Sequence, residues 1–299
     1  MILIADSGST KTDWAFVENG EIIEQKVTPG INPVHMSETQ IKEIITLLFP
    51  LIPELRSPTR SLSSLLSPLS SLKIFFYGAG CIPPFKNKVE KILAGQFPEA
   101  EIHVESDMLG AARALFGREA GIACIMGTGS NSCVYDGENI VDNIPPLGYI
   151  LGDEGSGAYL GRVFLKHLFK RQLSDQLREE FLSEYHLTYE EIIDRVYRQP
   201  GANRFLASLC PFIRKHLVGT SEVGTDESTI DFFVGCAFED FFNFNIHPYG
   251  RPELPVGFIG SVAWHFREYL SPVSEDLMEY PVKAIVQSPM SGLVKYHSA

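Results

Sequence analysis

Cysteine is scarce in this sequence, and its five copies include no C-x-x-C pair. Disulfide frameworks and thiolate metal clusters need several cysteines at close, paired spacing. Here the number is odd and the positions are widely separated: Cys81, Cys124, Cys133, Cys210 and Cys236. We therefore expect neither a disulfide framework nor a cysteine-bound metal centre.

Positive charge is also in short supply, because 25 Lys and Arg stand against 37 Asp and Glu, for a formal charge of −12. Nucleic acids are bound by basic surfaces, so this balance argues against a nucleic-acid partner. No apolar run reaches the about 20 residues that cross a bilayer, and Met1 leads into a strand without a signal-peptide pattern. We expect a cytoplasmic protein with no membrane partner.

What the sequence does contain is a distinctive opening, in which a buried strand over residues 2–5 runs into a polar turn around Gly8. Backbone amides at such a turn can surround an anion, and glycine permits the positive φ angles that this needs. Thr10 and Lys11 add a hydroxyl and a positive charge, and Asp6 could hold Mg²⁺ through its waters. The turn is no Walker loop, since a hairpin follows it. An ordinary polar hairpin is the alternative interpretation.

The same arrangement recurs in the second half of the chain. Gly127 follows an apolar strand as Gly8 does, and Gly137 lies in a second turn that matches Gly20. Two similar strand meanders predict an internal duplication, with two like domains that present their anion-binding turns to each other. Such a pair of turns would suit a polyphosphate.

A second candidate site follows the short strand at residues 102–104. Ser106 is a natural helix N-cap, which places Asp107 in the first helical turn, where the helix dipole favours a carboxylate. By position alone, Asp107 is more often a capping charge than a catalytic base.

Three further segments differ from ordinary connectors in composition or spacing. The glycine-flanked pair Asp153-Glu154 precedes a helix, which is unusual for a plain connector. Residues 254–262 read as a strand, a glycine turn and a helix, and glycine there could pass beneath an adenine or ribose. The serine–leucine tract at residues 57–71 predicts a surface loop without chemistry.

Taken in order, these motifs resemble the N-acetylglucosamine kinase branch of the BadF/BadG/BcrA/BcrD ATPase-like family. That family belongs to the actin, hexokinase and heat-shock-70 superfamily, and the resemblance runs over nearly the whole chain. The motifs that carry it are Asp6–Thr12, Asp107 at its helix start, Gly127–Asn131, Gly148–Gly155 and Gly257–Val262.

The resemblance implies an α/β fold with two ribonuclease-H-like (actin-like ATPase) domains around a nucleotide cleft. We expect the first domain to span residues 1–117 and to be rejoined by residues 288–299. The second domain should span residues 118–287 and carry a helical insertion.

The resemblance also implies roles for individual residues, with ATP and Mg²⁺ as cofactors. Asp6 matches the metal-associated acid, and Asp107 matches the base that accepts the proton of the sugar's primary hydroxyl. The first phosphate loop is matched by Gly8, Ser9, Thr10 and Lys11, and the second by Gly127, Thr128, Gly129 and Ser130. The adenosine motif is matched by Gly260, Ser261 and Val262. The sugar contacts are matched by Asn32, Gly148 and Asp153, beside Asp107.

The chain departs from the family pattern at a few positions. Ser7 and Ser9 stand where many members have glycine, which changes the hydrogen bonds open to the first turn. Pro33 and Tyr149 are unusual on the sugar side. The implied activity is therefore an ATP-dependent amino-sugar kinase, most simply one for N-acetylglucosamine at its 6-hydroxyl.

Other activities stay open at this point. Glucosamine and N-acetylmuramic acid are alternative substrates, and an ATPase or a sugar sensor without transfer activity is a different function class. An ATPase that drives electron transfer through an iron–sulfur cluster would need grouped cysteines, which the sequence lacks. A homodimer is one possibility, and the sequence leaves the oligomeric state open.

Overall fold

The opening residues form the three-stranded meander that the sequence predicts. In this computed structural model of the chain, β1 (Ile2–Ser7), β2 (Lys11–Glu18) and β3 (Glu21–Pro29) pair antiparallel in order. Asn19 and Gly20 join β2 to β3, and both have positive φ angles, of 52° and 81°. Positive φ at both central residues is the mark of the tight hairpin turn that Asn-Gly favours.

The structure describes residues 1–8, 10–48, 72–217 and 224–299. Ser9 and the serine–leucine tract at residues 57–71 lie outside the described residues. The chain divides into two compact units, each treated separately below. Unit 1 comprises Met1–Arg118, Gly137–Asn139 and Pro289–Ala299, and unit 2 comprises Glu119–Asp136 and Ile140–Ser288.

The sheet of unit 1 continues with two strands parallel to β1. These are β4 (Lys73–Gly78) and β5 (Glu101–Ser106), and the strand order is β3-β2-β1-β4-β5. Ser7, Gly78 and Ser106 lie side by side in the register of the three parallel strands. The segments that follow β1, β4 and β5 therefore leave the sheet at one edge.

Helices cover both faces of this sheet. They are α1 (Glu38–Thr46), α2 (Lys86–Gln96), α3 (Asp107–Phe116) and a C-terminal helix (Met290–Ser298). The predicted capping box of α1 is confirmed: Ser37 caps the Gln40 N–H and the Gln40 side chain accepts the Ser37 N–H. The C-terminal helix packs Leu293 and Val294 with Ile4 of β1. The end of the chain thus contributes to the core of unit 1.

Unit 2 repeats the same topology. Its strands are β6 (Gly121–Met126), β7 (Ser130–Tyr135), β8 (Ile140–Asp142), β9 (Val256–Ile259) and β10 (Val282–Val286), in the order β10-β9-β6-β7-β8. β6, β7 and β8 pair antiparallel, whereas β9 and β10 run parallel to β6. Strand for strand this matches the sheet of unit 1, as the repeated motif predicts.

Helices make up most of the rest of unit 2. They are α4 (Gly148–Leu151), α5 (Gly157–Phe169), α6 (Asp175–Tyr185), α7 (Tyr189–Tyr197), α8 (Ala202–Ala207), α9 (Cys210–Lys215), α10 (Asp226–Asn245), α11 (Ser261–His265) and α12 (Arg267–Pro272). The predicted core helix is α10, whose Phe238, Phe241 and Phe242 are fully buried. Among the helices of the described ranges, none is long and apolar enough to span a bilayer.

The closest helix contact in unit 2 gives a stability test. A Cβ atom at Gly161 of α5 would lie 2.1 Å from the backbone oxygen of Leu206 in α8, so Gly161→Ala must push the two helices apart. We expect a loss of about 1–3 kcal/mol in the free energy of unfolding, measured by urea denaturation. Gly235→Ala in α10 is the matched control, because its Cβ would meet no atom within 4 Å. That control should stabilise by about 0.5–1 kcal/mol. Equal effects of the two variants would contradict this packing.

Candidate active site

The first glycine turn is held in place by a buried serine. The Gly8 N–H donates to the Lys11 oxygen at 3.0 Å and closes the turn. The Ser7 hydroxyl lies 2.7 Å from the Thr12 hydroxyl and accepts the Ile31 N–H at 2.9 Å. Ser7 thus ties β1 to β2 and to the segment that follows β3. In the sequence it was only a departure from the family pattern, and nothing local marked it as an anchor.

The two charged or polar side chains at the tip of this turn point outward. Lys11 and Thr10 are both exposed, and the Lys11 ammonium forms an ion pair with Asp13 at 2.7 Å. An exposed ammonium of this kind can exchange its partner for a phosphate at little cost, since exposed ion pairs contribute about 0–1 kcal/mol.

Asp107 begins α3 at the edge where β5 ends. The Ser106 hydroxyl accepts the Leu109 N–H at 3.2 Å, so the predicted N-cap is confirmed. The Asp107 carboxylate accepts the Met108 N–H at 2.9 Å. Burial raises the pKa of Asp107 to about 6, although the Met108 hydrogen bond opposes that rise. At neutral pH the group is ionised and close enough to its pKa to take up a proton.

Asp6, the penultimate residue of β1, belongs to the same edge. Burial raises the pKa of Asp6 to about 7, and repulsion from Asp107 and then Asp13 adds to the effect, whereas Lys11 opposes it. The structure therefore brings the predicted metal-associated acid and the predicted base into each other's electrostatic range. A bound cation would relieve this repulsion, which is a property expected of a metal-associated carboxylate.

Asn32 lies at this edge as well, packed against the turn that follows β4. Its side-chain oxygen accepts the Val34 N–H at 3.0 Å. A Cβ atom at Gly80 would lie 2.4 Å from that oxygen, and Gly80 has a φ angle of 77°. The Gly78–Gly80 turn is thus the surface against which Asn32 is placed.

In the second glycine turn, which lies in unit 2, about half of the N–H and hydroxyl donors already interact with other protein groups. The Gly127 N–H donates to the Gly129 oxygen at 2.9 Å. The Ser130 N–H interacts with the Asp153 carboxylate and lowers its pKa. The Ser130 hydroxyl donates to the Glu154 oxygen at 2.7 Å. Within the described residues, the N–H groups of Thr128 and Gly129 and the Thr128 hydroxyl have no protein partner. Of the four residues predicted to bind phosphate, these two have donors to offer.

Asp153 is buried close to this turn. Burial raises the pKa of Asp153 to about 6, which the Ser130 N–H opposes and the neighbouring Glu154 reinforces. Gly148, the other predicted sugar contact of unit 2, begins the one-turn helix α4 with a φ angle of 76°. Nothing lies within 4 Å of a Cβ at Gly148.

The third glycine turn lies against the second. Gly260 has a φ angle of 129°, and a Cβ there would lie 2.2 Å from the Met126 oxygen. Glycine is therefore required at this position. Val262 is buried in the core of unit 2, whereas Ser261 is exposed. Of these two predicted adenosine contacts, only Ser261 presents its side chain to solvent.

Metal-binding side chains are sparse. Over the described ranges, no three His, Cys, Asp or Glu side chains cluster as a metal cage would need. Mg²⁺ keeps several waters and is often bound by one or two carboxylates together with substrate phosphates, so a single Asp6 fits this ion.

Comparison with solved structures identifies the family. No protein-family model matches the chain, and no curated protein matches it. The chain is similar to a putative N-acetylglucosamine kinase from Porphyromonas gingivalis, with 44% sequence identity and a TM-score of 0.88. The match covers 100% of this chain and 99% of that one. The chain belongs to this family of sugar kinases.

More distant structures share the fold of this sugar kinase. A putative N-acetylglucosamine kinase from Chromobacterium violaceum is 16% identical with a TM-score of 0.71, over 99% of this chain and 98% of that one. A putative N-acetylmannosamine kinase from Listeria monocytogenes is 12% identical with a TM-score of 0.50, over 99% and 97%. The predicted fold class, of actin-like ATPase type, is confirmed.

Most cysteines of the sugar kinase lie in its core. Cys81, Cys124, Cys133 and Cys210 are buried, and all five cysteines are free thiols. Burial raises the pKa of Cys81 and of Cys210 to about 12, so these thiols stay protonated. The iron–sulfur alternative would need cysteines grouped at a surface, whereas four of the five are buried.

Ser7 offers a test of how the first turn is held. Replacing it by Ala leaves the Ile31 N–H buried without an acceptor, and such a loss costs about 1–3 kcal/mol. We expect Ser7→Ala to lower the free energy of unfolding by that amount in urea denaturation. Ser291→Ala, at an exposed position of the C-terminal helix, should change it by less than about 0.5 kcal/mol. A Ser7→Ala protein as stable as this control would show that the anchor contributes nothing.

Proposed function

We propose that this sugar kinase is an ATP-dependent amino-sugar kinase of the BadF/BadG/BcrA/BcrD type, and that it transfers the γ-phosphate to the 6-hydroxyl of N-acetylglucosamine. The observation that carries the proposal is the placement of Asp107. A carboxylate fixed at a helix start, with a pKa raised to about 6, lies in the electrostatic range of Asp6 at one sheet edge. The full-length similarity to a putative N-acetylglucosamine kinase supports the same substrate.

Asp107 is the proposed general base. Its carboxylate would accept the proton of the primary hydroxyl as the hydroxyl oxygen attacks the γ-phosphorus, and the phosphoryl group passes to that oxygen while ADP leaves. The hydrogen bond from Met108 fixes one carboxylate oxygen and leaves the other for the sugar. A general base of this kind contributes about 10²–10⁴-fold to the rate.

The phosphate chain would be held mainly by neutral donors. In unit 2 we assign phosphate binding to the Thr128 and Gly129 amides and the Thr128 hydroxyl. In unit 1 we assign it to the first turn, with Lys11 adding a positive charge. Mg²⁺ associated with Asp6 would neutralise phosphate charge when bound. Backbone amides that already point at an anion cost little reorganisation, which suits a transition state of phosphoryl transfer.

The sugar side of the proposal rests on Asn32, Gly148 and Asp153. The Asn32 side-chain oxygen accepts the Val34 N–H, and the side-chain NH₂ group is left to donate. Glucosamine and N-acetylmuramic acid remain the alternative substrates, and a sugar-dependent ATPase or sensor is the alternative activity. A cytoplasmic location, where ATP is supplied, belongs to the same proposal.

Product analysis tests the function directly. We would measure ADP release by the purified protein with Mg-ATP, with and without each of N-acetylglucosamine, glucosamine, N-acetylmuramic acid and N-acetylmannosamine. Release that depends on N-acetylglucosamine, with a sugar 6-phosphate found by mass spectrometry and NMR, is the expected result. Release without sugar would favour the ATPase alternative, and ATP binding without release would favour a sensor.

The role of Asp107 is separable from helix capping. Asp107→Asn should lower turnover at least about 10²-fold while the affinity for a non-hydrolysable ATP analogue stays within about twofold. Asp175→Asn is the matched control, because Asp175 also follows a capping serine, Ser174, at the start of α6. That control should keep wild-type turnover. Wild-type turnover in Asp107→Asn as well would reduce Asp107 to a capping charge.

The raised pKa of Asp107 predicts an acid limb in the pH profile. The base acts in its ionised form, so kcat/KM for the sugar should fall about tenfold per pH unit below an apparent pKa near 6. An unperturbed carboxyl would place this limb about two units lower. The profile would be measured from about pH 4.5 to 9 at saturating Mg-ATP, with circular dichroism at each pH as the control for folding. A rate that stays level down to pH 4.5 would contradict the assignment.

A further inference from the structure

Asp153 lies next to the phosphate turn of unit 2 as well as in the glycine-flanked loop that carries the predicted sugar contacts. The Ser130 N–H, the last amide of the turn, interacts with its carboxylate and favours the ionised form, which lowers the pKa. A Cβ atom at Gly129 would lie 2.8 Å from one Asp153 carboxylate oxygen, so the carboxylate fills the space beside Gly129. Asp153 is also buried, with 9% of its surface exposed.

The backbone of Asp153 makes contacts of its own. Its N–H donates to the Pro146 oxygen at 3.2 Å, and its oxygen accepts the Ser156 N–H at 3.1 Å. Its φ angle of 54° lies in the left-handed region, where few residues other than glycine settle without such support. Asp153 therefore contacts three segments, namely Pro146 just before α4, the N-cap residue Ser156 of α5 and the glycine turn at Gly129.

Helix α5 meets the same turn from its first residues. The Gly157 N–H donates to the Gly127 oxygen at 2.8 Å, and the Ala158 N–H donates to the Thr128 oxygen at 3.1 Å. The carbonyl oxygens of the turn are thereby directed at α5, while the Ser130 N–H interacts with the Asp153 carboxylate. The Thr128 and Gly129 N–H groups are what remains for a ligand.

We propose that Asp153 is a positioning residue that fixes the Gly127–Ser130 turn in the shape in which Thr128 and Gly129 donate to an anion. This inference rests on the proposed function in one respect, namely that the anion is the phosphate chain of ATP. Asp153 is already an expected sugar contact, and the positioning of the turn is a second role that a sugar contact alone does not require. The carboxylate acts through hydrogen-bond acceptance and shape, and its negative charge is not needed for either.

The first experiment measures the turn without any ligand. Amide hydrogen exchange of Ser130 would be followed by NMR in the wild type, Asp153→Asn and Asp153→Ala. We expect Asp153→Ala to speed this exchange about tenfold or more, and Asp153→Asn, which keeps an acceptor oxygen, to stay near wild type. The Ile122 N–H, which donates to the Pro255 oxygen, is the internal reference for general loosening of unit 2. Unchanged Ser130 exchange in Asp153→Ala would overturn the proposal.

The second experiment uses the contact with Gly129. Gly129 does not have a positive φ angle, and the three nearest atoms that an added Cβ would meet all belong to the Asp153 carboxylate group. Gly129→Ala should weaken binding of the ATP analogue Mg-AMPPNP about tenfold or more in the wild-type background. In the Asp153→Ala background the same change should cost less than about threefold. Gly235→Ala in α10 is the matched control, because its Cβ would meet no atom within 4 Å and the residue lies outside the turn. It should leave Ser130 exchange and Mg-AMPPNP affinity unchanged.

The outcomes separate this inference from the proposed function. If Asp153→Ala raises only the KM for the sugar, with Ser130 exchange and Mg-AMPPNP affinity unchanged, Asp153 is a sugar contact and the positioning role is wrong. If the wild type binds no Mg-AMPPNP, the proposed function fails, while Ser130 exchange still decides whether Asp153 holds the turn. Should Asp153→Ala fail to fold, Asp153→Asn and Gly129→Ala still give the exchange and affinity results.

Discussion

The parallel pairing of β1 with β4, and of β4 with β5, is the constraint on which the rest of unit 1 depends. Strands in register end together, so the segments after Ser7, Gly78 and Ser106 leave the sheet at one edge. Because of this pairing, Asp6 and Asp107, which are a hundred residues apart in sequence, fall within each other's electrostatic range. Polar groups gather at the carboxyl edge of such sheets for the same geometric reason.

Burial of carboxylates recurs in both units. Asp6, Asp107 and Asp153 all have raised pKa values, and for each of them burial is the largest cause. None is paired with a lysine or arginine at salt-bridge distance within the described residues. Perturbed, uncompensated acids are costly to a fold and are concentrated at functional sites. These three carboxylates are therefore the perturbed acids on which the proposed function draws.

The two units share one topology but differ in how their glycine turns are secured. In unit 1, Ser7 ties the turn to neighbouring strand segments through its hydroxyl. In unit 2, the first N–H groups of α5 donate to carbonyl oxygens of the turn, and the Ser130 hydroxyl donates to the Glu154 oxygen. Gly260 packs against Met126, the residue that precedes the turn. The two units therefore share a strand framework but hold their glycine turns by different contacts.

Local chemistry along the chain determined much of this protein. Several features depend only on neighbours within a few residues, so a single sequence reveals them. They are the Asn19-Gly20 turn, the serine caps at Ser37 and Ser106 and the apolar stripe of α10. The repeat of Gly8 at Gly127 revealed the duplicated fold. Only the tertiary structure decided that Ser7 binds Ile31, that Asp153 binds Ser130 and that Gly260 meets Met126. Those contacts join residues more than 20 positions apart, and chain packing, unlike turn or helix propensity, leaves no periodic trace in the sequence.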